Sequence, residues 1–212
     1  MPMLEAAKPK KRATKQSNYP RLWTADEFLA WLQPDRRADL IAGQKFMHSP
    51  ASLRHATLLN TVDALLRSYL AEKDLGSLYR EVIALKFSDR YVFEPDMMYF
   101  TKEQDAQLLS SYAQLVPVLV VEALSKRTAK RDVGIKFAAY EQFGVQEYWI
   151  LDPLKSEHRF YAREGGLLVE FAQDEEKIES KSIPGFYLRR QWLTSVNPPS
   201  FLACYKEIMQ VA

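Results

Sequence analysis

The sequence predicts an α/β protein built on a central mixed β-sheet flanked by α-helices, and three stretches carry that expectation. Residues 117–152 read as a buried strand from Val118 to Leu124, a basic loop, a helix from Lys130 to Phe143, a turn at Gly144 and a second buried strand from Glu147 to Leu151, which is a βαβ unit. Residues 51–73 hold the longest helical pattern, with Leu53, Leu58, Leu59, Val62, Leu65, Leu66 and Leu70 at three- and four-residue spacings. Beyond Pro153 the segments HRFYARE, LLVEFA, KIESKSI and GFYLRR alternate in polarity, a β-meander that would continue the sheet.

Composition narrows the class. A chain of 212 residues with 47% hydrophobic content can bury a core, most economically as one domain over residues 19–212 behind a disordered basic arm, residues 1–18. Charges interrupt every long apolar run and no apolar signal-type segment follows the start, so neither membrane insertion nor secretion is expected. The single cysteine, Cys204, excludes an intrachain disulfide or a Cys-rich zinc site and suits a reducing compartment, by default the cytoplasm. Net charge is +2, yet Lys8, Lys10, Lys11, Arg12 and Lys15 face only Glu5 in the first twenty residues. The remainder is therefore slightly acidic, and contact with nucleic acid must come from local basic clusters or from the arm.

In chain order, Thr24 and Glu27 stand at capping-box spacing before a short amphipathic helix that Pro34 stops. RRADLIAGQKFMHSP follows as a hairpin turning at Gly43, with Asp39 in its first arm. Ser49 or Ser52 is a candidate cap for the long helix, which carries His55 in its first turn. Residues 77–88 and 91–100 look like two strands joined by a turn at Asp89 and Arg90, residues 101–112 like polar helix or loop, and residues 202–209 like a closing helix. In the central helix, Val133 and Phe137 are spaced to pack onto the sheet, and Tyr148, Trp149 and Asp152 read as core and turn residues.

The chemical clue is acidic. Alternation along the first βαβ strand puts Glu122 on the face of Val118, Val120 and Leu124, where an ionised carboxylate must be protonated, paired or metal-bound. Asp96, after Pro95 in YVFEPDMMYF, offers a second carboxylate from a neighbouring apolar run, and two such groups make half a Mg²⁺ site. No G-x-G-x-x-G or G-x-x-x-x-G-K-[ST] occurs, so the usual phosphate-cradling loops are missing. Asp132 and Lys136 stand four apart on one helix, a spacing that as a surface ion pair contributes only about 0.3 to 0.5 kcal/mol.

The succession DLIAGQ, SPASLRH, EPDMMYF and VVEALSKRTAKRDVGIKFAAYEQFGVQEYWILDP, over roughly residues 20 to 190, resembles the Uma family of predicted endonucleases, within the PD-(D/E)XK superfamily. That resemblance implies a restriction-endonuclease-like core and metal-dependent hydrolysis of nucleic acid, with DNA the expected substrate. Asp96 matches the PD aspartate and Glu122 the next acidic position, both expected to ligate Mg²⁺ or Mn²⁺ with the carbonyl of Ala123. The lysine normally two residues later is Leu124 here; Lys136 matches a lysine moved to the following helix. Asp39 matches the hairpin acid, usually Glu, with His55 as a further auxiliary group, while Gln44 replaces an often acidic residue of a second metal site. Lys126, Lys130 and Arg131 are placed to meet phosphates or simply to be solvated. Cutting two strands takes two sites, so a homodimer is one compatible assembly. The competing readings are a nucleic-acid-binding or assembly protein that keeps the fold without catalysis, and a metal-dependent phosphoesterase of small substrates.

Overall fold

The computed structural model describes residues 21–33, 35–80, 83–108, 111–127, 129–195 and 197–210; the basic arm, residues 1–18, lies outside them. Helix α1 (Ala25–Trp31) begins with the expected capping box, Thr24 accepting from the Glu27 backbone and Glu27 from that of Thr24. Strands β1 (Ala38–Ile41) and β2 (Gln44–Met47) form the hairpin. Ala42 and Gly43 both have positive φ, 49° and 77°, as a two-residue turn between twisted strands requires. Helix α2 (Leu53–Glu72) is capped by Ser52 and buries Leu59, Val62, Leu65 and Leu66 completely. Each such side chain contributes about 1.5–3 kcal/mol of transfer free energy.

The next stretch departs from the expected pair of long strands. It forms four: β3 (Gly76–Arg80), β4 (Leu85–Ser88), β5 (Tyr91–Phe93) and β6 (Met97–Thr101). Strands β4 and β5 turn at Asp89 and Arg90 as expected, but they belong to a four-stranded antiparallel sheet ordered β2-β1-β5-β4, while β3 and β6 pair with each other elsewhere. The chain thus leaves one sheet, makes a hairpin in another and returns. Gly76 is obligatory at the start of β3: its φ is 126°, and a Cβ there would come within 2.2 Å of the Phe100 carbonyl oxygen.

After the one-turn helix α3 (Lys102–Asp105) come β7 (Leu119–Ala123), the one-turn α4 (Ala129–Arg131), a π-helical turn over Asp132–Lys136, α5 (Phe137–Phe143) and β8 (Glu147–Leu151). The expected βαβ is present, with β7 and β8 parallel and Glu122 opposite Ile150. Strands β9 (Arg159–Glu164) and β10 (Leu167–Phe171) extend the sheet antiparallel, giving a mixed six-stranded order β10-β9-β8-β7-β6-β3. The expected meander stops there. Strands β11 (Lys177–Glu179) and β12 (Tyr187–Arg189) form their own two-stranded sheet, and helices α6 (Arg190–Thr194) and α7 (Phe201–Met209) close the described chain. Glu147, fully buried, holds that appendage to β8 by accepting from Ser180 Oγ, 2.8 Å, and the Ser182 backbone, 2.7 Å.

The two faces of the six-stranded sheet bury different partners. Leu119, Val121, Trp149 and Leu151 pack against α2 and the α6–α7 region. Val120, Leu124, Tyr148 and Ile150 pack against Ala139 and Tyr140 of α5 and, through Ile41 and Phe93, against the four-stranded sheet. The second face therefore looks onto a seam between two sheets.

His158 pins the end of β8 to the start of β9, its Nδ1 accepting from the Asp152 backbone at 3.2 Å. Burial, reinforced by the Arg190 guanidinium, pulls its pKa down to about 4. Below its ordinary value near 6.5 the unfolded chain takes a proton that the folded chain refuses until pH falls to about 4, so stability decreases across that window as pH falls. In urea unfolding at pH 7 and pH 4.5, the loss for the native protein should exceed that for His158→Gln by roughly 2 to 3 kcal/mol; equal losses would refute the assignment.

Candidate active site

At the seam, Glu94, Pro95 and Asp96 are the three residues between β5 of one sheet and β6 of the other. Antiparallel pairing of β6 with β7 sets Met97 against Val121, which brings Asp96 alongside Glu122 one step further on. The Asp96 carboxylate is fixed there by accepting from the Ala123 backbone N–H at 2.7 Å. Two acids far apart in sequence thus meet through strand register.

Asp39 enters from β1. Its Oδ1 accepts from the Glu94 backbone at 3.0 Å, while Ala38 N–H donates to the Glu94 carboxylate at 3.1 Å. Its Oδ2 lies 3.1 Å from His48 Nε2, 3.6 Å from Lys136 Nζ and 3.9 Å from the Arg131 guanidinium. Lys136 enters from the opposite side, on the π-helical turn, and its Nζ pairs with Glu122 Oε1 and lies 3.8 Å from Asp132 Oδ1. Lys136 is 2% exposed and Asp132 3%, so their spacing of four is not the surface pair that it suggested. Both face inward from this turn, while Val133 and Ile135 are in solvent; Val133 does not pack on the sheet, whereas Phe137 does.

Electrostatics follow from this crowding. Burial disfavours the Lys136 ammonium, but Asp39, Glu122 and Asp132 outweigh it and raise its pKa. Burial likewise opposes the Asp39 carboxylate, yet Lys136 and His48 hold it well below the carboxylate range. Glu122 goes the other way: burial, against the pull of Lys136 and with Asp96 and Asp132 nearby, pushes it up to about 8. Tyr140 donates to Glu122 Oε1 at 2.6 Å, the oxygen that also meets Lys136. The Glu122 proton, or a cation in its place, therefore belongs on Oε2.

Asp39, His55, Asp96, Glu122, Ala123 and Lys136 line one cleft of about 330 Å³. His55 Nε2 is 3.8 Å from Asp96 Oδ1, beyond direct hydrogen bonding. Arg131 turns inward over the Phe46 ring and toward Asp39; Lys130 is exposed on α4, and Lys126 lies beside the cleft rather than in it. Four participants escaped the sequence reading. Glu94 and His48 adjoin known motifs, EPD and HSP, and could have been suspected from that proximity. Asp132 looked like a surface partner of Lys136 and Tyr140 stood one turn after that lysine with no partner in view; only the fold brings both beside Glu122.

Among the described residues, no three His, Cys, Asp or Glu side chains form a ready metal cage. The donors that do meet, Asp96 and Glu122, are carboxylates, hard ligands that suit an oxygen-seeking divalent cation retaining several waters.

The family model Uma2, described as "Putative restriction endonuclease", matches residues 25–191. A solved structure described as a putative nuclease belonging to DUF820, from Anabaena variabilis ATCC 29413, superposes with a TM-score of 0.63 at 16% identity, covering 87% of this chain and 98% of that one. At that identity the likeness bears on fold alone. No curated protein matches the chain.

Lys136→Met should expose the balance at the seam, because it leaves Asp39, Glu122 and Asp132 facing one another without their shared amine. A loss of about 3–5 kcal/mol in chemical unfolding is expected, partly restored by adding Asp39→Asn. A loss no larger than that of an exposed pair, about 1 kcal/mol or less, would show that the amine is not the keystone.

Proposed function

The chain belongs to the Uma2 family, "Putative restriction endonuclease", and on that premise we propose that it is a metal-dependent endonuclease hydrolysing phosphodiester bonds of DNA. The observation that carries this reading is the convergence of Asp96, Glu122 and Lys136 on one cleft from the junction between two sheets, a strand and a π-helical turn. Asp96 and Glu122 would hold a Mg²⁺ or Mn²⁺ ion, with the Ala123 carbonyl as a third protein oxygen. The donor set fits: the carboxylates are adjacent, hard and largely removed from water. Such an ion, when bound, polarises the phosphodiester and lowers the pKa of a coordinated water.

The remaining residues prepare the site. Lys136 keeps a positive charge beside Glu122 that stabilises negative charge building on phosphorus. Asp39 supplies the countercharge that keeps that amine protonated in the apolar seam. Tyr140 fixes one Glu122 oxygen so that the other is presented to the cleft. Arg37 and Arg131, at the cleft wall and just behind it, offer cationic partners to a phosphate.

Plasmid DNA incubated with Mg²⁺, Mn²⁺ or chelator tests the reading. Cutting should require a divalent ion and fall by at least roughly a hundredfold in Asp96→Asn and Glu122→Gln. Since Glu122 titrates near 8 without the ion, the rise in Tm produced by Mn²⁺ should grow from pH 6.5 to pH 8.5 and vanish in Glu122→Gln. DNA binding with no cutting under any of these conditions would favour the non-catalytic alternative.

A further inference from the structure

A second hollow of about 370 Å³ opens from the cleft, sharing with it Ser49, Pro50, His55 and Ser125. Its remaining walls differ in character: Leu124 and Leu154 are apolar, and Lys126 and Arg127 stand at its edge. The volume falls within the range of sites for small organic groups, roughly 300–1,000 Å³. Leu154 is 44% exposed, an apolar surface open to solvent beside two cations. Meanwhile the carboxylates that would hold the metal ion are recessed, Glu122 at 5% exposure and the Asp96 side chain at 14%.

We propose that this hollow is a nucleotide subsite: Pro50, Leu124 and Leu154 receive an unpaired base next to the scissile bond, and Lys126 and Arg127 hold its phosphate. The inference rests on the nuclease reading and names its substrate class, a strand with at least one unpaired nucleotide at the point of cutting. Apolar walls accept the flat face of any base, which gives affinity without a sequence code. A base inside a continuous duplex is stacked and paired and cannot enter unless it is first turned out. The two exposed cations suit a backbone phosphate, and the shared wall leads that backbone directly to the carboxylates. Leu124 also occupies the position two residues after Glu122, so the apolar wall begins on the same strand that supplies the acid.

Fluorescence anisotropy with the full chain in chelator, where no cutting occurs, tests this. The probes are one labelled oligonucleotide as a single strand, as a fully paired duplex, and as the same duplex with one unpaired nucleotide. The unpaired forms should bind about tenfold tighter than the paired duplex. Leu154→Glu should abolish the difference at unchanged Tm, and Leu154→Met should keep it. Equal binding of paired and unpaired forms, or a preference that survives Leu154→Glu, overturns the subsite. If the duplex is bound equally well and is cut with Mn²⁺, the subsite alone falls; if no form is bound in chelator or cut with metal, the nuclease reading falls and the subsite with it.

Discussion

The structure turns on one buried amine shared by three carboxylates. Lys136 reaches Glu122 on the six-stranded sheet, Asp39 on the four-stranded sheet and Asp132 on its own turn. Charges can be held out of water only where partners replace solvation, and here each partner comes from a different element. The pairing is therefore also a clamp: the sheets and the helix must be assembled before all four charges are compensated. Within it the acids part company. Asp39 receives a backbone N–H, a histidine and two cationic side chains and is held ionised, whereas Glu122 adjoins Asp96 and Asp132 and leans toward its protonated form. Two carboxylates on one amine, driven in opposite directions, give the seam one fixed charge and one that can respond to a ligand.

The backbone reaches this arrangement by changing sheets at Glu94-Pro95-Asp96. Pro95 has no N–H for a ladder, so a strand cannot run through it without a gap, and β5 ends before it while β6 begins after Asp96. Both flanking acids then serve the crossing. Glu94 takes the Ala38 N–H and its own N–H goes to Asp39, which binds the exit from the first sheet to β1. Asp96 takes the Ala123 N–H, which binds the entry to the second sheet to β7. Backbone groups left without ladder partners at a junction are thus satisfied by the side chains that form the cleft.

Local pattern made much of this legible. The βαβ unit, the long helix, the hairpin turn at Gly43 and the exceptional character of Asp96 and Glu122 follow from periodicity and from the cost of a carboxylate on an apolar face. What periodicity cannot encode is which sheet a strand joins. Residues 77–88 and 91–100 have the apolar content of two long strands; the packing of Phe93 against α5 and of Met97 against α2 shows that the second is divided, and the pairing of β3 with β6 but of β4 with β5 shows it for the first. The same limit hid Asp132 and Lys136, since a spacing of four looks alike on a surface and in a seam. Tyr140 gave no sign of its role because its partner, Glu122, is eighteen residues away.

The position of Lys136 has a physical logic. A lysine at position 124 would lie on the face of Glu122, among Val120, Tyr148 and Ile150, with a short path to the acid but none of the other counterions. Arriving from the π-helical turn, Lys136 instead lays its stem beside Phe93 and Tyr140, its Nζ 5.6 Å and 5.9 Å from their ring centres, and ends among three carboxylates. Asp132 and Lys136, four apart on this turn, both point inward while the residues between them stay in solvent. The strand position thereby released is free to be apolar, and Leu124, 4% exposed, joins the core on one side and lines the adjoining hollow on the other. A charge carried on the turn rather than on the strand thus has a fuller set of partners, and the cleft keeps an apolar neighbour at a position that a strand lysine would fill.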